Sequence, residues 1–112
     1  MIQKAVYSHW SKPNNNSFCG FRSSQAFANS LRLSLIFARK WFKETELITD
    51  KKGYDLLIKK HKFRFDNVRV CLDKINHVKS KHWSIGKLVA CSLQDEPFMH
   101  IDNDVFWFKK PK

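Results

Sequence analysis

The sequence predicts an α/β domain in which about four mainly parallel strands form a sheet with helices on both faces. Short apolar segments rich in β-branched and aromatic residues alternate with segments whose apolar positions recur at helical spacing. Parallel strands need helical crossovers, so the order β-α-β-α-β-α-β accounts for this alternation. The chain has 112 residues, 43% of them hydrophobic, which suits a single domain over residues 1–112 with its own core.

The first strand is predicted over 2–7, and a loop rich in turn-forming residues follows over 8–16. A helix is expected to begin at Ser23 or Ser24, because a serine side chain can cap the first backbone N–H groups of a helix. Apolar residues then recur every three or four positions and should face the core: Phe27, Leu31, Leu35, Ala38 and Phe42.

The remaining elements alternate in the same way. Strands are predicted over 46–50, 68–72 and 98–101, and helices over 53–61 and 81–93. The strand side chains expected to be buried are Val6, Ile48, Val70 and Met99. The helix over 81–93 is expected to turn its apolar side chains inward, namely Ile85, Leu88 and Val89.

The charge of the chain favours an anionic partner. The formal net charge is +11 at pH 7, and the first 43 residues hold seven Lys or Arg residues without any acid. A nucleic acid, a membrane surface or a phosphorylated small molecule would each suit such a charge. Charge alone does not choose among the three.

The cysteines and the hydropathy pattern indicate a reducing, non-membrane environment. Cys19, Cys71 and Cys91 are odd in number and lack the close spacing of a zinc site. No apolar run approaches the roughly 20 residues that span a bilayer, and the first residues do not open a signal peptide. We therefore expect a cytoplasmic protein without a transmembrane segment.

Two carboxylates follow the last predicted strand. Side chains alternate along an extended chain, so Asp102 and Asp104 should point to the same side where the strand ends. Convergent carboxylates favour a hard divalent cation, Mg²⁺ or Mn²⁺, which can also hold the phosphates of a substrate. The alternative is a solvated Asp-Asn-Asp turn.

Three polar segments are expected to meet at one edge of the sheet. Residues 8–10, 49–50 and 102–104 lie at the carboxyl ends of the first, second and fourth predicted strands. In open parallel sheets ligands bind outside the carboxyl ends of the strands, so these segments can share one crevice. The sequence contains neither a Gly-x-Gly-x-x-Gly pattern nor a phosphate-binding loop, which disfavours a dinucleotide fold and a P-loop enzyme.

Four blocks of sequence together resemble the amino-terminal half of a GT-A-type glycosyltransferase. They are Tyr-Ser-His-Trp-Ser-Lys-Pro at 7–13, Leu-Ile-Thr-Asp at 47–50, Trp-Ser-Ile-Gly-Lys at 83–87 and His-Ile-Asp-Asn-Asp-Val at 100–105. The chain is also similar in these blocks to a bacterial glycosyltransferase-like family of uncharacterised function. The resemblance implies a Rossmann-like three-layer domain that binds a nucleotide-diphosphate sugar.

The resemblance also implies roles for particular residues. Asp102 and Asp104 match the Asp-x-Asp motif that holds a divalent metal, Mn²⁺ or Mg²⁺, against the diphosphate. Lys87 matches a basic position near the donor. From the residues alone, Lys87 is about as well explained as a solvated helix lysine.

Three further residues match segments that border the nucleotide, namely Tyr7, Trp10 and Asp50. An aromatic ring could stack on the base. The residues themselves leave other roles open, since Trp10 suits the core slightly better and Asp50 could simply cap the following helix.

The match to a complete transferase of the hexosyltransferase type breaks off at the carboxyl end. The sequence stops eight residues after Asp104, where such enzymes continue into a segment that binds the acceptor. The resemblance therefore implies a donor-binding domain that lacks its acceptor half, with no catalytic base to name. Two other classes stay open: a small basic nucleic-acid-binding module, and a non-catalytic interaction domain that uses the aromatic residues at 105–108.

Overall fold

A computed structural model of the chain describes residues 3–11, 24–75, 77 and 85–102. In this part four strands form one sheet in the order β3-β2-β1-β4, and every neighbouring pair is parallel. The α/β fold with a mainly parallel sheet of about four strands is therefore confirmed. The strands are β1 (Lys4–His9), β2 (Glu44–Thr49), β3 (Asn67–Val70) and β4 (Met99–His100).

The crossovers between the strands are helical. They consist of α1 (Ser24–Trp41), α2 (Lys51–Tyr54) with a π-helical continuation (Asp55–Lys60), a 3-10 helix (Leu72–Ile75) and α3 (Ile85–Ser92). The π-helical part and the 3-10 helix were not expected from the sequence. Residues 81–84 of the predicted third helix lie outside the described residues. None of the described helices is both long enough and apolar enough to cross a bilayer.

The helix α1 covers one face of the sheet with the apolar stripe predicted from its sequence. The four stripe residues in α1, together with Phe42 directly after it, are at most 5% exposed, and they pack with Tyr7, Leu47 and Leu57 into one hydrophobic cluster. Because the stripe recurs at helical spacing, a single helix face can fill the space above β1 and β2.

A second hydrophobic cluster lies on the opposite face of the sheet. It contains Val6, Ile48 and Trp10 beneath the 3-10 helix and α3. The approach of α3 is close, because a Cβ atom added to Gly86 would lie 3.0 Å from the Cβ atom of Trp10. The molecule therefore has three layers, which is compatible with a Rossmann-like fold.

Some burial predictions were wrong. Val70 is 46% exposed because β3 forms an edge of the sheet, and Leu88 is 63% exposed because α3 turns it away from the sheet. Met99 is only partly buried against the first cluster, whereas Val6 and Ile48 are fully buried as predicted.

A buried carboxylate ties three strands together near the amino end of the sheet. Glu46 is fully buried and lies 3.3 Å from Lys4 Nζ and 3.1 Å from Arg69 Nε. Its carboxylate also accepts hydrogen bonds from Gln94 Nε2, at 2.7 Å, and from Asn67 Nδ2. Burial alone would raise the pKa of Glu46, but the Gln94 hydrogen bond and the two cations lower it.

Candidate functional site

The strand order creates a switch point beside β1. From β1 the chain moves outward to β2 and β3, and it then crosses back to place β4 on the other side of β1. Crossovers that diverge in this way leave a crevice outside the carboxyl ends of the two strands, where α/β proteins bind ligands. The register pairs Val6 with His100, so the next residues on the same face, Ser8 and Asp102, also come near each other.

Four polar side chains form a row along this switch point: Ser8, His100, Asp102 and Lys87. Ser8 Oγ lies 2.8 Å from Nε2 of His100, whose Nδ1 lies 3.9 Å from Oδ1 of Asp102. The same carboxylate oxygen lies 2.5 Å from Nζ of Lys87, which comes from α3. Strand alternation explains the arrangement, because it turns Ser8, His100 and Asp102 toward the face that α3 covers. The sequence-predicted Lys87 and Asp102 are therefore brought together.

In this row of side chains, the inner residues Ser8 and His100 are neutral at pH 7, and the outer residues Asp102 and Lys87 are charged. Burial lowers the pKa of His100; the Asp102 carboxylate opposes that shift and Lys87 adds to it. The Lys87 and Asp102 side chains are 37% and 47% exposed, so their charges lie at the boundary with solvent. This geometry offers a cation to an anionic ligand and a carboxylate to a metal ion or a sugar hydroxyl.

Tyr7 and Trp10 lie in the two hydrophobic cores. Tyr7 is fully buried, its Oη lies 2.8 Å from Oγ of Ser34, and burial raises its pKa to about 12. Trp10 is 4% exposed and belongs to the cluster beneath α3. Trp10 also packs against Gly86, the residue before Lys87. Trp10 therefore has the core position that the sequence slightly favoured.

Asp50 caps a helix and also holds Ser11, which lies just after β1. Its Oδ1 accepts hydrogen bonds from Gly53 N at 2.7 Å and from Ser11 Oγ at 2.9 Å, and its Oδ2 accepts one from Ser11 N at 3.0 Å. The capping role that the sequence left open is thus present in the structure. Asp50 is 3% exposed, and its carboxylate links Ser11, just after β1, to the start of α2 after β2.

A buried histidine at the end of β1 was not singled out from the sequence. His9 is 5% exposed, its ring lies 5.4 Å from that of Phe27, and its Nδ1 has no hydrogen-bond partner within the described residues. Burial lowers its pKa to about 4, although Asp50 acts in the opposite direction. The sequence did not predict that His9 is buried at the end of a strand, because the predicted loop began one residue before it.

The second predicted metal ligand, Asp104, lies outside the described residues. Within the described ranges no group of three or more His, Cys, Asp or Glu side chains is placed to hold a metal ion. Asp102 alone supplies a half-exposed carboxylate there, and one of its oxygens is paired with Lys87. Of the two predicted metal ligands, the described part therefore contains Asp102 and not Asp104.

Comparison with protein-family models matches residues 3–112 to a family of unknown function, DUF6734. Searches of curated proteins and of solved structures gave no significant match. Because the matched region covers nearly the whole chain, this protein belongs to the DUF6734 family.

Proposed function

We propose that this chain is a glycosyltransferase-like domain that binds a nucleotide-diphosphate sugar at the switch point between β1 and β4. The observation that carries the proposal is the meeting of Lys87 with Asp102 beside the carboxyl end of β1. An all-parallel sheet of this topology binds ligands at that edge. A lysine and an aspartate there suit a ligand that carries both phosphates and hydroxyl groups.

The reaction chemistry fits these two side chains. Sugar transfer breaks the bond between the anomeric carbon and the diphosphate, so negative charge develops on the leaving group. In the proposed complex the ammonium group of Lys87 exchanges its partner Asp102 for a phosphate oxygen. The released carboxylate is then available to a metal ion.

Asp102 and Asp104 are the proposed ligands of Mg²⁺ or Mn²⁺. Such an ion takes oxygen ligands in octahedral geometry and keeps several positions for water and substrate phosphates. When bound, it would act as a Lewis acid toward the diphosphate. Two carboxylates fill only part of its shell, so metal and nucleotide should bind cooperatively.

The structure changes how the predicted nucleotide-binding residues would act. Both oxygens of the Asp50 carboxylate accept hydrogen bonds from Ser11, so Asp50 holds Ser11 in place after β1. The buried rings of Tyr7 and Trp10 support that strand from opposite faces of the sheet. In the proposal all three residues border the nucleotide by positioning backbone rather than by stacking on the base.

Calorimetric titration tests the proposal directly. The full chain is titrated with uridine and guanosine diphosphates and their sugar esters, with and without Mn²⁺. We expect binding that Mn²⁺ strengthens, and we expect Asp102→Asn and Asp104→Asn to abolish this metal dependence. Asp95→Asn, at an exposed aspartate after α3, is the matched control. Equal metal dependence in the wild type and Asp102→Asn would refute the assignment.

A further inference from the structure

The outward side of α1 combines exposed aliphatic side chains with bases. Leu33 is 42% exposed and Ile36 is 59% exposed, which are high values for aliphatic side chains on a helix that packs against a core. Arg32, Arg39 and Lys40 are exposed beside them, and α1 contains no acidic residue. We name these five residues the α1 outer face.

A second basic segment extends this surface. The Arg32 guanidinium donates a hydrogen bond to the carbonyl oxygen of His61 at 3.4 Å and lies 5.1 Å from the centre of the Phe63 ring. The segment that holds these two residues therefore lies directly beside α1. It also exposes three bases to solvent, namely Lys60, Lys62 and Arg64.

We propose that the α1 outer face docks on a lipid surface that carries negative charge. A helix that lies in a membrane interface inserts aliphatic side chains between headgroups, while neighbouring bases approach anionic lipids. On the α1 outer face the inserting aliphatic side chains are Leu33 and Ile36. The bases that approach the anionic lipids are Arg32, Arg39 and Lys40.

The same pattern suits a nucleic acid less well. Proteins that bind nucleic acids contact the nucleobases through aromatic stacking and hydrogen bonds, and they contact the phosphates through cationic side chains. Exposed leucine and isoleucine side chains contribute to neither contact. The observation that favours lipid is thus the position of Leu33 and Ile36 among the cations.

The proposed docking leaves the switch point free. The α1 outer face belongs to the layer on one side of the sheet, whereas Lys87 extends from α3 in the layer on the other side. Lipid binding is therefore expected to be independent of Asp102. It goes beyond the proposed sugar-donor function, and either proposal can fail without the other.

Vesicle sedimentation tests the role of the aliphatic side chains. The full chain should bind vesicles of phosphatidylcholine with phosphatidylglycerol, and not vesicles of phosphatidylcholine alone. Replacing both aliphatic side chains, Leu33→Ser with Ile36→Ser, should weaken binding about tenfold, because their insertion into the interface is lost. Leu88→Ser is the matched control, since Leu88 is equally apolar and 63% exposed but lies on α3. Unchanged binding of the double variant, or an equal loss in Leu88→Ser, would overturn the proposal.

A charge variant tests the electrostatic part with the aliphatic side chains intact. The double variant Arg39→Gln with Lys40→Gln should weaken binding to anionic vesicles by about tenfold or more. Each Lys or Arg near such a surface raises the binding affinity about fivefold. Added salt should weaken wild-type binding in the same direction. An RNA oligonucleotide is the competing probe. Tight RNA binding that depends on Arg39 and Lys40, together with no vesicle binding, would overturn the proposal in favour of a nucleic-acid surface.

Discussion

The side chains of Lys87 and Asp102 meet at 2.5 Å, although one comes from the helix α3 and the other follows the strand β4. Their contact joins the last two elements of the described chain at the open edge of the sheet. The pair is half-exposed, so it contributes little to the free energy of unfolding. Its position beside the switch point makes ligand binding the more informative property to measure.

Replacing Lys87 by Met should weaken the binding of uridine diphosphate about tenfold or more. A charge-assisted contact with phosphate is worth roughly 1.5–3 kcal/mol, and methionine keeps much of the side-chain length without the charge. Calorimetry measures the affinity, and thermal unfolding should show little change. Lys59→Met is the matched control, because Lys59 is exposed and also forms an ion pair, with Asp55 at 3.5 Å. An equal loss in Lys59→Met would show that only the net charge matters.

Asp50→Ala should lower the free energy of unfolding by about 2–4 kcal/mol, because a helix cap and two further hydrogen bonds are lost at a buried site. Urea denaturation measures the change. Asp73→Ala is the control, since Asp73 also accepts a backbone hydrogen bond at the start of α2, from Lys51 N at 2.8 Å, but at an exposed site. We expect it to cost less than about 1 kcal/mol. Equal losses in the two variants would contradict the special role of Asp50.

Glu46→Gln should cost about 3 kcal/mol at neutral pH, because it leaves the buried Lys4 ammonium without a fully buried counter-charge. The pKa of Glu46 is lower in the folded chain than its ordinary value of 4.5. Its ionised form therefore stabilises the fold above pH 4.5, and this stabilisation is lost as the pH falls through the lower folded pKa.

Urea denaturation across this acidic range provides the measurement. The Glu46→Gln variant should show a weaker dependence of stability on pH than the wild type. Glu96→Gln is the control, since Glu96 is 52% exposed and lies 3.6 Å from Lys4 Nζ. A pH profile of Glu46→Gln that follows the wild type throughout would refute the prediction.

As the pH is lowered, protonation of His9 should destabilise the fold at a higher pH than protonation of Glu46 does. The unfolded chain binds a proton at His9 near pH 6.5, whereas the folded chain binds it only near pH 4. Stability should therefore fall as the pH is lowered through this interval, by about 3 kcal/mol in total. His9→Phe should remove this part of the profile, and His77→Gln, at an exposed position, should retain it. A wild-type profile that is flat between these two pH values would contradict the assigned pKa.

Gly53→Ala should destabilise the chain by about 1–3 kcal/mol through overpacking. A Cβ atom there would lie 2.8 Å from Cδ2 of His9 and would also collide with Oγ1 of Thr49. Gly86→Ala is a milder comparison, because its nearest neighbour, Trp10 Cβ, would be 3.0 Å away. Thermal unfolding ranks the two variants, and a larger loss in Gly86→Ala would contradict the packing argument.

The sequence predicted those features that depend on local periodicity. The α1 stripe is an example, since helical spacing alone places Phe27 and Leu31 on one face. Strand burial was predicted less well, because the exposure of Val70 depends on strand order, and local sequence does not reveal which strand forms an edge. Leu88 and Val89 both fit a helical stripe with Ile85, and only the packing of α3 decides which of them points outward.

The candidate site was predicted in part for a related reason. Parallel topology brings strand ends together, which is why Asp102 could be placed at the sheet edge from its position after an apolar run. The ion pairs of the buried Glu46 carboxylate could not be predicted, because the two cations, Lys4 and Arg69, come from two other strands. The buried position of His9 likewise depends on where β1 ends, and the turn-rich sequence that begins at Ser8 obscures that boundary.

The pairing of β1 with β4 has a consequence for the order of folding. Ala5 lies beside Met99, so this pairing joins the two sequence extremes of the described sheet, whereas the connection between β1 and β2 contains α1 and is much shorter in sequence. Long loops close slowly, and β4 contributes only two residues to the ladder once it arrives. We therefore expect β1, α1 and β2 to assemble first and the switch-point crevice to form in the final step. During synthesis on the ribosome, the chain would thus form the α1 side of its sheet before Lys87 and Asp102 can meet.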